Sequence, residues 1–431
     1  MLRRSCWLSA IVFVLLLSVG AAGEQAPFTL EQIMSAPFPT DLVAAPTAGK
    51  VAWVFNAQGV RNIWVAEPPA YVGRQVTAYA EDDGQEIASL RWTPDATAIV
   101  YVRGGAANRQ GEYPNPRSDP EGVEQAVWVI SLAGGEPRRL GEGHTPAVSP
   151  KGDRVAFIRR DQIWWAPLEG SEKAKQMFQA RGRCGSPVWS PDGAQLAFVS
   201  NRGDHSYVGV YDLERKILRY LDPSVDRDMN PVWSPDGKQI AFIRIPASGQ
   251  LFGFGPRRQG EPWSIRVAEV ASGQGRQVWK AEEGRGSVFH SVVASSQLFW
   301  GAGDRLVFPW ERAGWLHLYS VPVAGGAAVQ LTSGEFEVEY VTFSPDRQKV
   351  IFNSNQGDIN RRHLWSVSVA GGPVKALTSG AGIEWAPVVT GDGGVVAFLR
   401  SDARRPAQPA ILVGDAPREL TPGSIPADFP S

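Results

Sequence analysis

A short pattern of apolar and polar residues recurs along this chain. Residues Trp233–Gly237 read WSPDG, and Ile240, Phe242 and Ile243 follow as an apolar run. Proline presets φ at the first central position of a turn, aspartate bonds back to nearby backbone, and glycine accepts the positive φ that closes a hairpin. The pattern therefore predicts a strand end, a tight turn and a second, buried strand.

Eight copies of this cassette can be aligned. Clear copies surround Pro94, Pro150, Pro191, Pro235 and Pro345, and weaker copies surround Pro46, Ala302 and Gly391. The steps between these positions are 48, 56, 41, 44, 67, 43 and 46 residues. Another apolar run follows most copies, then often a Gly-Gly turn and a short segment ending in threonine, as in Val329–Thr332. Each unit therefore predicts about four short strands.

A four-stranded unit that repeats at this interval is typical of a β-propeller blade, and blades must stack around an axis to bury both faces. We predict an all-β fold, a β-propeller of eight four-stranded blades. The alternative, a β-sandwich with coincidental turns, is disfavoured because the cassette recurs together with both of its partner motifs. The expected blades cover about 41–80, 86–143, 144–182, 183–222, 226–283, 288–333, 337–379 and 383–421, followed by a linker at 422–431.

Two blades carry long insertions that are too polar, or too rich in glycine and proline, for strands: Arg103–Pro116 in blade 2 and Pro246–Pro262 in blade 5. Loops that break a repeat tend to lie on a working face. Glutamates there could bind the α-ammonium of a peptide, and arginines its carboxylate or carbonyls. The candidate substrate-binding residues are Arg103, Arg109, Glu112, Arg257, Arg258, Glu261 and Trp263, together with Trp315, which lies outside the repeated tryptophan positions. The alternative is that these charged side chains are solvated on the loop surface and have no binding role.

Composition and motif content restrict the classes of function that this chain can have. The 431 residues include 43 lysines and arginines against 44 aspartates and glutamates, a balance that favours neither nucleic acid nor an anionic membrane as partner. The chain has no Gly-x-Ser-x-Gly nucleophile turn, no His-Glu-x-x-His and no paired cysteine motif. Its five histidines are scattered along the chain without metal-ligand spacing. We therefore assign no catalytic residue, no metal and no cofactor.

The N-terminus has the pattern of a signal peptide over residues 1–23. Arg3 and Arg4 precede the apolar run Trp7–Val19, and small residues follow at Ala21–Gly23. This predicts a secreted or periplasmic protein that has no membrane contact after cleavage, with an uncleaved anchor as the alternative. Cys184 is then the lone cysteine of the mature chain, so no intrachain disulfide can form.

The repeated cassette resembles both TolB-like periplasmic propellers and the N-terminal propeller of the prolyl oligopeptidase family of serine peptidases. Four longer stretches are similar to secreted bacterial members of the dipeptidyl-peptidase-IV-like branch, whose blade count is also eight: residues 108–116, 201–206, 225–233 and 310–319. In that family an α/β-hydrolase domain carrying Ser, Asp and His follows the propeller. This chain stops where that domain would begin, so we expect it to lack a triad and to be inactive alone.

The resemblance implies that the propeller walls off an active site, admits short peptides and, in dipeptidyl peptidases, anchors the substrate N-terminus through acidic residues. Those acidic residues align to no unique site here, and Glu112 and Glu261 are candidates from their loop context. The expected function is the substrate-gating half of a secreted serine peptidase, with an α/β-hydrolase domain and short peptides as partners. A stand-alone TolB-like scaffold that binds a protein is the alternative, and an enzyme with an unusual site in the channel is a third hypothesis. Peptide specificity, oligomeric state and the closure between blades 1 and 8 do not follow from the sequence.

Overall fold

The computed structural model describes residues 28–247 and 260–430. These residues form one short helix, α1 (Leu30–Ile33), and 32 strands. Each cassette turn joins the first two strands of one blade, and the following apolar run forms the third strand. The prediction of an all-β chain with eight four-stranded blades is confirmed.

The first four blades occupy the N-terminal half. Blade 1 contains β1 (Phe38–Ala44), β2 (Val51–Ala57), β3 (Val60–Ala66) and β4 (Arg74–Gln75). Blade 2 contains β5 (Ile87–Trp92), β6 (Ala98–Arg103), β7 (Ala126–Ser131) and β8 (Arg138–Glu142). Blade 3 contains β9 (His144–Val148), β10 (Arg154–Arg159), β11 (Gln162–Pro167) and β12 (Lys175–Gln176). Blade 4 contains β13 (Arg183–Trp189), β14 (Gln195–Asn201), β15 (Ser206–Asp212) and β16 (Ile217–Tyr220).

The other four blades follow in the same order. Blade 5 contains β17 (Arg227–Trp233), β18 (Gln239–Ile245), β19 (Ser264–Glu269) and β20 (Gly275–Lys280). Blade 6 contains β21 (Phe299–Gly301), β22 (Arg305–Trp310), β23 (His317–Pro322) and β24 (Val329–Gln330). Blade 7 contains β25 (Val338–Phe343), β26 (Lys349–Ser354), β27 (His363–Ser368) and β28 (Lys375–Ala376). Blade 8 contains β29 (Ile383–Val389), β30 (Val396–Ser401), β31 (Gln408–Val413) and β32 (Ala416–Glu419).

The first strand of each blade lies nearest the central axis. Strands pair antiparallel in chain order within each blade, and a single parallel pairing of Ser206 with Arg227 joins blades 4 and 5 into one eight-stranded sheet. First strands of neighbouring blades contact one another around the ring: β1 with β5, β5 with β9, β9 with β13, β13 with β17, β17 with β21, β25 with β29, and β29 with β1. The last of these contacts closes the ring.

The second strand of each blade is buried on both faces, because the blade packs against a neighbour on either side. Side chains alternate along a strand, so Ile240 and Phe242 of β18 face blade 4 while Ala241 and Ile243 face blade 6. Eight apolar clusters fill the eight interfaces between blades. This two-sided burial explains why the second strands read as continuous apolar runs.

The cassette turn holds itself together and also ties neighbouring blades. The Ser234 hydroxyl donates to Asp236 Oδ1 at 2.6 Å, and Gly237 has φ of 69°. The indole Nε1 of Trp233 donates to the carbonyl of Val188 in blade 4 at 3.0 Å, and Trp189 bonds blade 3 in the same way. The tryptophan of the cassette therefore links blades as well as filling core space.

Blades 1 and 8 close the ring by packing and backbone hydrogen bonds, with each sheet built from consecutive strands of the described chain. Trp53 and Phe55 of blade 1 pack against Ala397 and Ile411 of blade 8. The amide of Gly391 donates to the carbonyl of Ala45 at 2.9 Å, and that of Gly73 donates to the carbonyl of Leu420 at 2.7 Å. Among residues 28–247 and 260–430, no strand is exchanged across this seam.

Candidate functional site on the insertion face

The strand order places the connections on two faces of the propeller. Turns between first and second strands, and between third and fourth strands, lie on one face, which we call the turn face. Hairpins between second and third strands, and links between blades, lie on the opposite face, which we call the insertion face. The insertion after β6 and the described ends of the insertion after β18, 246–247 and 260–263, both join second to third strands. Both therefore lie on the insertion face.

The first strands bulge where they line the channel. The pairing register shifts in seven of the eight first strands, and six of them carry a non-glycine residue with φ between 49° and 57°: Asp41, Ser89, Thr145, Ser186, Asn230 and Ala386. A bulge bends a strand and redirects the side chains beside it. Sequence reasoning missed these bulges, although a proline directly follows the positive-φ residue in four blades (Pro146, Pro187, Pro231 and Pro387).

Two of these bulges carry opposite charges. Asp41 of blade 1 and Arg91 of blade 2 have solvent-exposed side chains and attract each other. The surrounding blades displace water, and this desolvation raises the pKa of Asp41, an effect that the charge of Arg91 opposes. The wall of the channel between blades 1 and 2 is therefore polar and charged.

The blade 2 insertion is organised by one asparagine. Asn108 Oδ1 accepts hydrogen bonds from the amides of Gln110 and Glu112, each at 2.9 Å. Asn108 Nδ2 donates to Glu112 Oε2 at 2.8 Å. The side chains of Arg109 and Glu112 are exposed on this compact turn. Both predicted residues are thus accessible, although the Glu112 carboxylate is partly engaged by its own loop.

The same insertion lines one side of a charged cavity of about 430 Å³. Arg103 lines this cavity, forms an ion pair with Asp83 and lies 4.3 Å above the ring of Tyr79. Burial raises the pKa of Tyr79, whose hydroxyl lies 2.7 Å from that of Tyr101. The remaining walls come from Gln85, Asn115, Arg117, Asp119, Pro120, Gly122, Val123, Glu124 and Trp128. The cavity offers charges of both signs, as recognition of a peptide backbone with its termini requires.

The blade 5 candidates have different outcomes. Arg257 and Arg258 lie outside the described residues. Glu261 is exposed, whereas Trp263 is 1% exposed and packs edge to face against Trp279, Phe289 and Phe308. This burial corrects the expectation that Trp263 contacts substrate, because its indole belongs to the core between blades 5 and 6.

The link between blades 5 and 6 is anchored beside the blade 5 insertion. The carbonyl of Gly286 accepts two indole N–H groups, from Trp263 at 3.1 Å and from Trp310 at 2.8 Å. The ring of Trp310 carries the guanidinium of Arg312 at 5.4 Å, and Arg312 pairs with Glu282 at 2.8 Å. Trp315, in the same hairpin of blade 6, is half-buried. Trp310, a residue that the sequence did not single out, therefore fixes this part of the insertion face.

A buried charge cluster lies where blades 4 and 5 join. The guanidinium of Arg244 binds both carboxylate oxygens of Asp228, at 2.7 and 2.9 Å, and pairs with Asp222 at 3.1 Å. Arg266 adds a second cation to Asp222 at 2.5 Å. Asp228 is fully buried, and burial raises its pKa to about 6 even though the hydrogen bonds and charge of Arg244 lower it. This cluster therefore ties the link after blade 4, at Asp222, to three strands of blade 5.

Two histidines, His363 and His317, occupy structural positions. His363 Nδ1 lies 2.8 Å from Glu384 Oε2, and the Thr378 hydroxyl donates to the same oxygen at 3.1 Å, which ties blade 7 to blade 8. His317 is buried between Thr332 and Gly334, and its burial lowers its pKa. Within the described ranges, no group of three potential metal ligands occurs. No described helix is long and apolar enough to cross a bilayer.

Two segments match the models of known protein families. Residues 142–250 match the TolB β-propeller domain (PD40), and residues 257–402 match the N-terminal region of dipeptidyl peptidase IV. By structure, the chain is similar to Porphyromonas gingivalis dipeptidyl peptidase 4, with a TM-score of 0.62 at 14% identity over 92% of this chain and 61% of that one. The chain contains a β-propeller, with one segment similar to the TolB propeller domain and another similar to the N-terminal region of dipeptidyl peptidase IV.

Two other similarities are shorter or weaker. The propeller domain of the Trilobed protease from Pyrococcus furiosus gives a TM-score of 0.48 at 17% identity, over 80% of this chain and 97% of that one. A stretch of 51 residues is 37% identical to a tricorn protease homolog of Streptomyces coelicolor and covers 12% of this chain and 4% of that protein. This propeller therefore spans less than two thirds of the length of Porphyromonas gingivalis dipeptidyl peptidase 4 and a small part of the tricorn homolog.

The fold of this propeller brings the described parts of the two predicted insertions to one face. The blade 2 insertion bonds to the preceding blade link, where Gln85 Nε2 donates to the carbonyl of Pro114 at 3.3 Å. The described end of the blade 5 insertion bonds instead to the next blade link, where the amide of Gly260 donates to Ser287 Oγ at 2.8 Å. Among the described residues no hydrogen bond or ion pair connects the two insertions.

Proposed function

We propose that the insertion face of this propeller selects short peptides and docks an α/β-hydrolase domain of the serine peptidase type. The observation that carries the proposal is the concentration of distinctive features on this face. Both long insertions and the charged cavity beside Arg103 lie there. The first strand of blade 1 starts there and the last strand of blade 8 ends there.

Exposed apolar side chains support a docking role. Among the described residues, twelve large hydrophobic side chains are exposed, and eight of them lie in segments on or leading into the insertion face: Phe28, Leu30, Ile33, Met34, Phe38, Val225, Val293 and Ile359. Val225 is 80% exposed and Ile359 is 72% exposed. Apolar side chains gathered on one face of a protein are typical of an interaction surface. The partner that fits the propeller type is a hydrolase domain, which would supply the nucleophile.

The channel and the insertions would then act on the substrate before the hydrolase does. Glu112 and Glu261 present exposed carboxylates that suit the α-ammonium of a peptide, and Arg103 and Arg109 present guanidinium groups that suit its carboxylate or carbonyls. The bulged strands line the route along the axis, and a narrow route would favour short and extended peptides over folded proteins. Catalysis itself would belong to the partner domain.

The rival proposal is a stand-alone scaffold that binds a protein through a propeller face, and the match of residues 142–250 to the TolB β-propeller domain supports it. Peptidase activity separates the two. The mature chain is assayed on short chromogenic peptides alone and after addition of a separately expressed hydrolase domain of the family. We expect no activity from the chain alone, and a changed substrate size limit once the two are mixed. Activity from the chain alone would overturn the proposal, and binding without any change in activity would favour the scaffold.

Matched variants test the docking face. Val225→Glu and Ile359→Glu place charge on the insertion face, whereas Val413→Glu places the same charge at a 51% exposed position on the turn face. We expect the first two to weaken association with the hydrolase domain by about tenfold or more, because each buries an unpaired charge. Val413→Glu should leave association unchanged. Equal weakening by all three variants would contradict this assignment of the face.

A further inference from the structure

A second site lies away from the channel, at the seam where blade 8 meets blade 1. A cavity of about 420 Å³ opens there between the turn of blade 1 at Ala70–Val72 and the outer strands of blade 8. Its polar walls are formed by Arg400, Arg405, Arg418 and Glu419. Three guanidinium groups thus face a cavity that contains a single carboxylate.

The hydrogen-bonding capacity of these arginines is largely unused. Arg405 contacts Glu419 Oε1 at 3.3 Å, and Arg400 reaches the same oxygen only at 3.8 Å. The Nε of Arg400 is buried and has no hydrogen-bond partner. Arg418 has no ion pair or side-chain hydrogen bond within the described residues, and its guanidinium lies 5.7 Å from the ring centre of Tyr71 in blade 1. Since buried polar groups are normally satisfied, the unpartnered Nε of Arg400 is a spare donor, and the exposed guanidinium groups of Arg405 and Arg418 are able to turn towards a ligand.

The charge balance points to an anion. The lining residues sum to three positive charges and one negative charge, a net charge of +2. The nearby carboxylate of Glu384, which pairs across strands with Arg400, is already engaged by His363 and Thr378. Guanidinium groups present N–H donors in a fork that matches the oxygens of phosphate and carboxylate groups, and stacking on an aromatic ring holds such a fork in position.

We propose that this seam binds a doubly charged oxyanion, either a phosphate group or a dicarboxylate. The arginines come from blade 8 and the stacking tyrosine comes from blade 1, so a bound anion holds the two blades together. Among the described residues, no exchanged strand links these blades. A ligand that binds only the closed ring raises its apparent stability by RT ln(1 + L/Kd), where L is the free ligand concentration. The site therefore links anion binding to closure of the propeller.

Calorimetric titration of the full chain tests the proposal, with inorganic phosphate as one probe and succinate as the other, at constant ionic strength. We expect saturable binding of at least one probe, and a rise in melting temperature with the probe that binds. The double variant Arg405→Gln/Arg418→Gln should weaken binding by about tenfold or more, because each change removes a charge-assisted hydrogen bond. The control is Arg404→Gln, which changes an exposed arginine of the same hairpin outside the cavity and should leave affinity unchanged.

The two probes distinguish the source of the oxyanion. Binding of phosphate alone assigns a phosphate site, and binding of succinate alone assigns a carboxylate site. Absence of saturable binding by both probes would overturn the proposal. Equal weakening by Arg404→Gln and by the double variant would also overturn it, since the effect would then come from general positive charge.

Discussion

Replacement of Arg244 by methionine tests the buried charge cluster between blades 4 and 5. Methionine keeps the length and much of the volume of the side chain but removes the cation. The Asp228 carboxylate, which is fully buried and held at 2.7 and 2.9 Å by Arg244, would then lose the cation that offsets the desolvation of its charge. Removal of one partner from a buried ion pair typically costs about 3–5 kcal/mol. We expect the variant to lose stability in that range near pH 7.5.

The pKa of Asp228 predicts how this loss depends on pH. Burial raises this pKa from 3.8 to about 6, so the folded state binds the proton more tightly than the unfolded chain does. At 1.36 kcal/mol for each pKa unit, ionised Asp228 already costs the wild-type protein about 3 kcal/mol above this pKa. The cost is relieved as pH falls from about 6 towards 3.8. Without Arg244 the pKa rises further, so acidification should stabilise the variant more than the wild type.

The assay is urea unfolding followed by tryptophan fluorescence at about pH 7.5 and about pH 5.5. The double variant Asp228→Asn/Arg244→Met removes the unpaired charge and should recover much of the stability at the higher pH. Arg215→Met, an exposed change on blade 4, is the matched control and should shift the urea midpoint little. The reasoning is refuted if Arg244→Met stays within about 1 kcal/mol of wild type at both pH values, or if the double variant is no more stable than the single one.

Two further substitutions test the cassette. Trp233→Phe removes the indole N–H that donates to the carbonyl of Val188, and it should cost about 1–2 kcal/mol in urea unfolding; no change would contradict the role of the indole in linking blades. Asp236→Asn tests acid sensitivity. The hydrogen bond from the Ser234 hydroxyl lowers the pKa of Asp236 in the folded state. Ionised Asp236 therefore stabilises the fold above its unfolded-state pKa, and this stabilisation is lost as pH falls through its folded-state pKa. The variant should therefore lose less stability than wild type on acidification below about pH 4, and superimposable acid unfolding curves would count against this explanation.

The sequence predicted the architecture because the propeller repeats its local chemistry. The turn from Ser234 to Gly237 closes through its own hydroxyl, carboxylate and positive φ, and the following strand is apolar from Ile240 to Ile243, where neighbouring blades cover it. These signals need only a few consecutive residues. Their recurrence at steps near 45 residues was enough to predict eight blades of four strands.

The candidate site was predictable in outline only. The insertions were visible as breaks in the repeat, and Arg103 does line a charged cavity on the insertion face. Trp263 was misread because it lies beside an insertion, although it is the first residue of a packed core layer and its indole bonds Gly286. A loop boundary drawn from composition cannot tell the last exposed residue from the first buried one.

Contacts between distant parts of the chain were decided by the tertiary structure. The pairing of Asp228 with Arg244 depends on strand register. The bulges at Asp41 and Asn230 depend on the curvature of the first strands around the axis. The contact of Tyr71 with Arg418 depends on closure of the ring. Each of these features forms only when packing brings together residues that are far apart in the sequence or that lie on different strands. The repeat alone therefore determined the blades, whereas the closed ring determined the buried charges, the shape of the channel and the seam with its arginines.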